Sequence, residues 1–279
     1  RQRGKKVVIG GIHASWLPEE AKSHSDSVAI GEADETWAEI LEDVEAGKLK
    51  PFYRQKERTD LSRLPIPRRN LLPRKGYLFH NLIQTTRGCP YDCEFCSVTA
   101  FHGRTYRMRP IPEVEKEIQS LERSKAYIFF VDDNIVGNLS YARELFTMLS
   151  HYRLRWVSQG PIHVAENEEI LSLMAKAGCH GLFIGFESLR EENLHMMGKK
   201  INRVEMYERG IKRLHDAGIG VYGSFVFGYD YDDASVFDEF LEFADRNRIE
   251  GAFLPILTPF PGTRIYQRLK QEGRLLTEN

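Results

Sequence analysis

Cysteine is scarce in this sequence, and its distribution argues against a disulfide-stabilised fold. Only four cysteines occur among 279 residues, and three of them, Cys89, Cys93 and Cys96, stand close together. An odd cluster of three thiols, in a chain without a signal peptide, makes a poor disulfide framework. We therefore expect free thiols and a reducing, cytoplasmic location.

Three further absences narrow the function. No apolar run approaches the roughly 20 residues of a membrane helix, so no membrane span is predicted. The 39 Lys and Arg residues are balanced by 40 Asp and Glu residues, so no global basic field predicts a nucleic-acid partner. The G-x-S-x-G, Walker and H-E-x-x-H motifs are also missing, which leaves the corresponding hydrolase, P-loop and zinc-protease chemistry without support.

What remains is an ordinary globular composition, with 42% hydrophobic and 28% charged residues and therefore a sizeable core. The first residue is Arg1 rather than Met, which indicates a piece of a longer protein or a processed chain.

From Asn81 onward, short apolar runs alternate with amphipathic segments of helical period. Helices are predicted after Pro112, Asn167 and Asn202, the last with Glu205 in a capping-box arrangement. Such alternation implies parallel strands joined by right-handed crossovers. Six strands are predicted, near Leu82–Thr85, Tyr127–Val131, Arg155–Gln159, Gly181–Phe186, Gly220–Phe227 and Gly251–Ile256.

The first 80 residues have a different pattern. Strands are predicted at Lys5–Gly11 and Ser27–Ile30, and a helix over Ala33–Ala46. Its predicted buried face comprises Ala33, Trp37, Ile40, Leu41 and Val44. Residues 48–80 contain four prolines among many basic residues, so we expect a linker that crosses a surface.

The cysteines are spaced C-x3-C-x2-C, in the run Thr85-Thr86-Arg87-Gly88-Cys89-Pro90-Tyr91-Asp92-Cys93-Glu94-Phe95-Cys96. Thiolates select iron–sulfur clusters, zinc or copper(I). Three thiolates are one short of the set that holds a [4Fe–4S] cluster, which leaves one iron open. The alternative is a closed zinc site with a fourth ligand from His102 or Cys179, although Cys179 reads as a small buried residue.

This stretch resembles the signature of the radical S-adenosylmethionine (SAM) superfamily. The resemblance implies a partial (β/α)6 TIM-like barrel and a [4Fe–4S] cluster held by Cys89, Cys93 and Cys96. SAM would occupy the open iron and be cleaved reductively to a 5′-deoxyadenosyl radical. Phe95, the aromatic residue before the third cysteine, would lie near the adenine.

The same resemblance implies SAM contacts at the carboxyl ends of the strands, where β/α barrels carry their sites. Each position also has a structural alternative: a polar turn, an ordinary strand end, a salt bridge or a packing glycine. The implied contacts are Asp132 and Asn134 of an Asp-Asp-Asn element, Ser158 and Gln159, Glu187 of a Gly-Phe-Glu-Ser element, and Gly223 and Gly228.

Residues 7–46 resemble the closing part of a cobalamin-binding domain, but the Asp-x-His-x-x-Gly motif that ligates cobalt in many such domains is absent. We therefore predict a doubly wound α/β remnant over 1–47, a Pro-rich linker over 48–80, a radical SAM partial barrel over 81–263, and a C-terminal helix or extension over 264–279. Cobalamin would bind only in a longer chain.

The function implied is that of a B12-type radical SAM enzyme, similar to hopanoid C-methylases. It would methylate or otherwise functionalise a C–H bond of an unidentified small-molecule or lipid substrate. Flavodoxin or ferredoxin would supply electrons. Two alternatives stay open, a cobalamin-independent oxidation or rearrangement and a non-catalytic zinc-binding module. No substrate-side catalytic residue is identified.

Overall fold

A computed structural model describes residues 3–73, 76, 80–121 and 127–277. The chain divides into two compact units. The N-terminal unit comprises residues 1–64, 95–101 and 259–279, and the sheet unit comprises residues 65–94 and 102–258.

The N-terminal unit contains a three-stranded parallel sheet of β1 (Val8–Ile9), β2 (Ser27–Ile30) and β3 (Phe52–Arg54), in that order. Helices α1 (Ile12–Trp16) and α2 (Pro18–His24) connect β1 to β2, and α3 (Trp37–Glu45) connects β2 to β3. Strands and helices alternate here, as the predicted α/β remnant requires.

Two details of this unit differ from the sequence analysis. Strand β3 was missed, because Phe52–Arg54 is short and lies within the predicted Pro-rich linker. The predicted buried face of α3 is wrong in part. Ile40 is fully buried against Ala29 and Tyr53, whereas Trp37 and Leu41 are 49% and 47% exposed. The domain boundaries themselves stay predictions.

The sheet unit begins with β4 (Asn81–Ile83), β5 (Thr86–Arg87) and β6 (Arg107–Met108); α4 (Ser97–His102) lies between β5 and β6 in the chain. Strands β5 and β6 pair in antiparallel fashion. The other strands are β7 (Tyr127–Phe130), β8 (Arg155–Gln159), β9 (Cys179–Glu187), β10 (Gly220–Phe225) and β11 (Gly251–Phe253).

Six of these strands form one parallel sheet in the order β11-β10-β9-β8-β7-β4. The predicted α/β class is therefore confirmed, and the described residues form an open six-stranded sheet. The helices after β6 are α5 (Ile111–Gln119), α6 (Leu139–Ser150), α7 (Glu168–Lys176), α8 (Glu191–Met196), α9 (Tyr207–Asp216) and α10 (Ser235–Arg246); α11 (Arg264–Gln271) follows in the N-terminal unit.

The two faces of the large sheet differ in how they are covered by helices. On one face, Trp156 stacks on Phe146 of α6, and Phe186 stacks on Phe225, which contacts Phe240 and Phe243 of α10. Nine strand residues on this helix-covered face are at most 1% exposed: Ile83, Ile128, Phe130, Trp156, Leu182, Ile184, Phe186, Val221 and Phe225.

The opposite face, which we call the open face, is set by the strand register. Leu82 pairs with Phe129, which pairs with Val157, and Phe183 pairs with Tyr222. Leu82 and Tyr222 are 46% and 45% exposed, and Phe253 at the edge strand is 59% exposed. The open face is therefore defined by the apolar residues Leu82, Phe129, Val157, Phe183, Tyr222 and Phe253.

The N-termini of the helices show which of the predicted capping residues are confirmed. Asn167 caps α7 by accepting the N–H of Ile170 at 3.0 Å, as the predicted helix start requires, and Asn138 caps α6 in the same way through Tyr141. The predicted capping box at Asn202 is wrong. Its amide donates instead to the carbonyls of Gly185 and Phe186. No helix in the described ranges is long and apolar enough to span a bilayer.

Candidate functional site

The carboxyl ends of the parallel strands lie at one edge of the sheet. We call residues 85–96, which carry three of the cysteines, the cysteine loop. This loop follows β4, and its strand β5 pairs with β6. Within this loop, Glu94 N–H donates to the carbonyl of Met197, 2.9 Å away, in the segment after α8. The segments that follow β4 and β9 are therefore in contact with each other.

None of the four cysteines, all of which lie in the described ranges, is joined in a disulfide bond. Cys89, Cys93 and Cys96 are half-buried, and Phe95–Phe101, which carries Cys96, groups with the N-terminal unit. Among the described residues, no group of three or more His, Cys, Asp and Glu side chains is gathered as a metal site. The role of these cysteines as ligands therefore rests on their spacing and stays a prediction.

Neither proposed fourth ligand supports a zinc site. Cys179 opens β9, at the sheet edge opposite the cysteine loop, and burial raises the pKa of its thiol. Its sulfur contacts the carbonyl of Gly181 at 3.7 Å, so the prediction of a small buried residue is confirmed. His102 Nδ1 lies 3.3 Å from the guanidinium of Arg107.

Asp132 is turned into the protein. Its carboxylate is fully buried and accepts the N–H and hydroxyl of Thr85, at 3.1 and 2.8 Å, and those of Thr86. Desolvation raises the pKa of Asp132 to about 6, although the threonine hydrogen bonds act in the opposite direction. This geometry favours the structural alternative over the implied contact with the SAM ammonium.

The next two residues also meet the cysteine loop. Asp133 accepts the N–H of Gly88 at 3.0 Å. Asn134 is 3% exposed, and its amide nitrogen lies 3.9 Å from the sulfur of Cys89. Asn134 is therefore beside a predicted cluster ligand, as its implied role requires, but its amide nitrogen contacts the cysteine itself.

Ser158 and Gln159 fall on opposite faces of β8. Ser158 is 1% exposed on the helix-covered face, where its hydroxyl donates to the carbonyl of Phe130 at 2.9 Å. Alternation along the strand directs this side chain away from the open face, which favours the alternative of an ordinary strand end over the implied contact with SAM. Gln159, one residue on, is half-buried on the open face.

Glu187 lies on the open face, at the irregular carboxyl end of β9. The register with β10 shifts between Ser224 and Phe225, and Glu187 has a φ of +68°, which is uncommon for a residue with a side chain. Its carboxylate forms an ion pair with Lys199, and the two side chains are only 8% and 11% exposed. Both charged groups fill the space that a side chain at Gly185 would occupy.

Lys199 was missed in the sequence analysis. It lies in a Gly-Lys-Lys run after α8 that reads as a solvated turn, and only the fold brings it to Glu187.

The two glycines have different roles. A side chain at Gly223 would lie 2.8 Å from the Phe225 ring and 3.2 Å from that of Phe186, on the helix-covered face. This geometry favours the alternative of a packing glycine at Gly223, and its implied adenine contact stays a prediction. Gly228 has a φ of +103°, and its N–H donates to Asp232 at 2.8 Å, so it forms a tight turn after β10.

The sequence analysis missed a second pair of side chains, which joins the cysteine loop to the segment after β8. The hydroxyl of Tyr91 is 3.3 Å from Nε2 of His163, and their rings meet edge to face. Burial raises the pKa of Tyr91, and the neighbouring Cys89 and Cys93 add to this rise. Burial lowers the pKa of His163. The sequence signal that could have indicated His163 is its position, four residues after the end of β8.

The sequence of this chain is similar to several methyltransferases. It is 33% identical over 282 residues to bacteriochlorophyllide d C-12(1)-methyltransferase of Chlorobaculum tepidum, covering 98% of this chain and 62% of that protein. It is 27% identical to the hopanoid C-2 methylase of Rhodopseudomonas palustris, covering 98% of this chain and 54% of that one. The chain thus spans less than two thirds of these relatives.

The fold is similar to that of the radical SAM methyltransferase TsrM from Kitasatospora setae, solved with cobalamin and a [4Fe–4S] cluster. The TM-score is 0.77 at 19% identity, over 96% of this chain and 60% of that one. The family model described as Radical SAM superfamily matches residues 83–244, which is more than half of the chain. The chain therefore belongs to the radical SAM superfamily, whose cofactors are a [4Fe–4S] cluster and SAM.

Proposed function

We propose that this chain is the catalytic core of a radical SAM methyltransferase and that Cys89, Cys93 and Cys96 hold its cluster. The carrying observation is the run of three half-buried cysteines, none in a disulfide bond, that follows the first strand of a parallel six-stranded sheet. The donor set fits, because three thiolates leave one iron of a [4Fe–4S] cluster without a protein ligand. When bound, the cluster and SAM supply one-electron chemistry that a protein side chain cannot.

Glu187 is the residue we propose to hold SAM, through its ribose hydroxyls or its ammonium group. Its carboxylate is on the open face at the carboxyl end of β9, and charged acceptors form the stronger hydrogen bonds. Strained backbone at a charged residue is common at ligand sites. Gln159 on the same face is the second candidate. Phe95 and Gly228 stay predictions as cofactor neighbours, and Asn134 acts through Cys89.

Methylation is proposed because relatives that cover nearly the whole chain are named as methyltransferases. A role for cobalamin is proposed for a longer protein only. Its support is the parallel β1–β2–β3 sheet with its connecting helices, which matches the closing part of a cobalamin-binding domain in pattern. The predicted boundaries at 47, 80 and 263 belong to this proposal.

The substrate we propose is a large, mostly apolar molecule. The open face carries aromatic and aliphatic side chains that are 45–59% exposed at Leu82, Tyr222 and Phe253. Contiguous exposed apolar surface marks ligand or interaction sites. The named substrates of the two relatives, a bacteriochlorophyllide and a hopanoid, have the same character. Cysteines without disulfide bonds also fit a reducing cytoplasm, with an electron donor of the flavodoxin or ferredoxin kind.

The proposal is tested by anaerobic reconstitution with iron and sulfide, followed by incubation with dithionite, cobalamin, methyl-labelled SAM and a bacteriochlorophyllide or hopanoid acceptor. We expect 5′-deoxyadenosine from the wild-type chain, labelled acceptor from a longer protein that includes the cobalamin-binding part, and neither product when Cys89 is replaced by alanine. Cys179→Ala is the matched control and should retain both products. A chain that retains one zinc and leaves SAM intact would contradict the proposal. If the longer protein forms 5′-deoxyadenosine but no labelled acceptor, methylation is rejected while the cluster assignment stands.

A further inference from the structure

Three consecutive residues after β7 grip three successive points of the cysteine loop. Asp132 accepts hydrogen bonds from the backbone N–H and the hydroxyl of both Thr85 and Thr86, Asp133 accepts one from Gly88, and the Asn134 amide contacts Cys89. We call Asp132, Asp133 and Asn134 the loop clamp. Contacts in the same order along both segments show that the two are fitted to each other over their length.

Asp132 fixes the start of the loop. A fully buried carboxylate is costly unless its oxygens are well satisfied, and both the backbone and the hydroxyls of two threonines serve this one. Tyr141 of α6 donates to the carbonyl of Thr85 at 3.2 Å, so the other side of that residue is held as well. The direction in which the chain leaves β4 is thereby set.

Asp133 fixes the turn that precedes the first cysteine. Gly88 has a φ of +90°, and a side chain there would overlap the carbonyl of Thr105. The chain therefore bends sharply at Gly88, and the 3.0 Å bond from its N–H to Asp133 holds the bend.

The orientation of the Asn134 amide is determined by its own partners. Its Oδ1 accepts the N–H of Val136 at 3.2 Å, which leaves the NH2 group directed towards the Cys89 sulfur. The hydroxyl of Tyr106 donates to the Asn134 carbonyl at 2.8 Å, and its ring occupies the space of the absent side chain at Gly137. Nitrogen, not oxygen, is therefore presented to the sulfur.

We propose that the loop clamp presets the cysteine loop before any cluster is bound, and that Asn134 is a positioning residue that tunes the cluster through Cys89. An N–H donor facing a ligating thiolate withdraws negative charge from it, and hydrogen bonds to sulfur are among the factors that set cluster potentials. The donor favours the reduced, more negative cluster and therefore raises its reduction potential. This second part rests on the proposed function, whereas the first part does not.

The presetting is tested on the apo chain by amide hydrogen exchange. Asp133→Ala should accelerate exchange at Gly88 by about tenfold or more, because a hydrogen bond to a charged acceptor is lost. Asn167→Ala, which removes the cap of α7 in the same sheet unit, is the matched control and should leave Gly88 unchanged. Equal exchange at Gly88 in wild type and Asp133→Ala would overturn the presetting.

The tuning is tested by redox titration of the reconstituted chain, followed by electron paramagnetic resonance. Asn134→Leu keeps the side-chain volume without the donor, and isosteric Asn134→Asp places a negative charge there. We expect potentials to fall in the order wild type, Leu, Asp, with Asn167→Ala equal to wild type. Equal potentials, or the reverse order, would overturn the tuning. A chain that assembles no cluster would reject the proposed function, while the apo measurement would still decide the presetting.

Discussion

Glu187 combines a left-handed backbone conformation with a nearly buried charge. Such a conformation costs about 1–3 kcal/mol and persists only where the surroundings impose it. Here the imposing contacts are the ion pair with Lys199 and the hydrogen bonds from Asn202 to the carbonyls of Gly185 and Phe186. The carboxylate is therefore held on the open face before a ligand arrives.

Removing either charge of this pair should have distinct effects. Lys199→Met leaves a buried carboxylate without its counter-ion and should lower the free energy of unfolding by about 3 kcal/mol. Glu187→Gln keeps the shape and should weaken SAM binding to the reconstituted chain by about tenfold, because a charged acceptor becomes neutral. Urea unfolding and equilibrium SAM binding provide the measurements. Unchanged SAM affinity in Glu187→Gln would remove this residue from the SAM site.

Asp132 should make the stability of the chain depend on pH in an unusual direction. Burial raises its folded-state pKa to about 6, above the ~3.9 of a free carboxyl, so the folded chain binds this proton more tightly than the unfolded chain does. Its contribution to stability is therefore greatest below about pH 4 and falls as the pH rises to about 6.

Asp132→Asn does not titrate and should lose this dependence. Between about pH 4 and pH 7, its free energy of unfolding should improve relative to wild type by on the order of 2–3 kcal/mol. Urea unfolding of both apo chains at the two pH values measures the difference. Ser158→Ala, a neutral change beside the same strand ends, should track wild type. A pH-independent difference between Asp132→Asn and wild type would contradict the assignment of a raised pKa.

Among the elements, β9 carries the most consequence for the site. Two successive residues at its carboxyl end, Phe186 and Glu187, lie on opposite faces of the sheet, and the register with β10 shifts at the same place. Phe186 enters the core beneath α9 and α10, and Glu187 returns to the open face. The sheet thus supplies an acidic group at its edge without exposing an aromatic one.

Asn202 should matter more than an ordinary helix cap. Asn202→Ala removes the donor to two buried carbonyls at this irregularity and should lower the free energy of unfolding by about 2–3 kcal/mol. Asn167→Ala removes only a cap and should cost about 1 kcal/mol. Asn202→Ala should also weaken SAM binding, since Glu187 loses its support. Chemical denaturation of wild type, Asn202→Ala and Asn167→Ala measures these free energies of unfolding. A loss in Asn202→Ala no larger than that in Asn167→Ala would argue for a simple capping role.

The sequence was informative where local signals act alone. The six strands of the large sheet, the capped start of α7 and the burial of Cys179 follow from apolar runs, an Asn side chain and a small residue in an apolar context. The remainder depends on contacts between distant segments. No local pattern distinguishes the buried face of Ser158 from the open face of Gln159, or pairs Glu187 with Lys199. The Asp132 contacts join segments 46 and 47 residues apart.

Considering the whole molecule, the large sheet separates its two tasks by face. Aromatic packing on the helix-covered face stabilises the fold, whereas the open face exposes apolar side chains and is the face that we propose for ligands. The carboxyl ends of the strands lead into the cysteine loop and carry Glu187.

The open face should bind a large apolar substrate. Phe253→Ser should weaken binding of a bacteriochlorophyllide by about tenfold, because a partly exposed aromatic contact is lost. Leu241→Ser is the matched control, since Leu241 is 61% exposed but lies on α10, away from the open face. Fluorescence quenching measures both affinities. Equal losses in the two variants would indicate non-specific apolar adsorption rather than a site on the open face.

The central claim is that Cys89, Cys93 and Cys96 hold a [4Fe–4S] cluster with one iron open to SAM. The most direct test is the electron paramagnetic resonance spectrum of the reduced, reconstituted chain, recorded before and after addition of SAM. We expect the signal of a reduced [4Fe–4S] cluster that changes when SAM binds, that is retained in Cys179→Ala, and that is absent when Cys89, Cys93 or Cys96 is replaced by alanine. A spectrum that SAM leaves unchanged, or a cluster that survives loss of any one of these three cysteines, would contradict it.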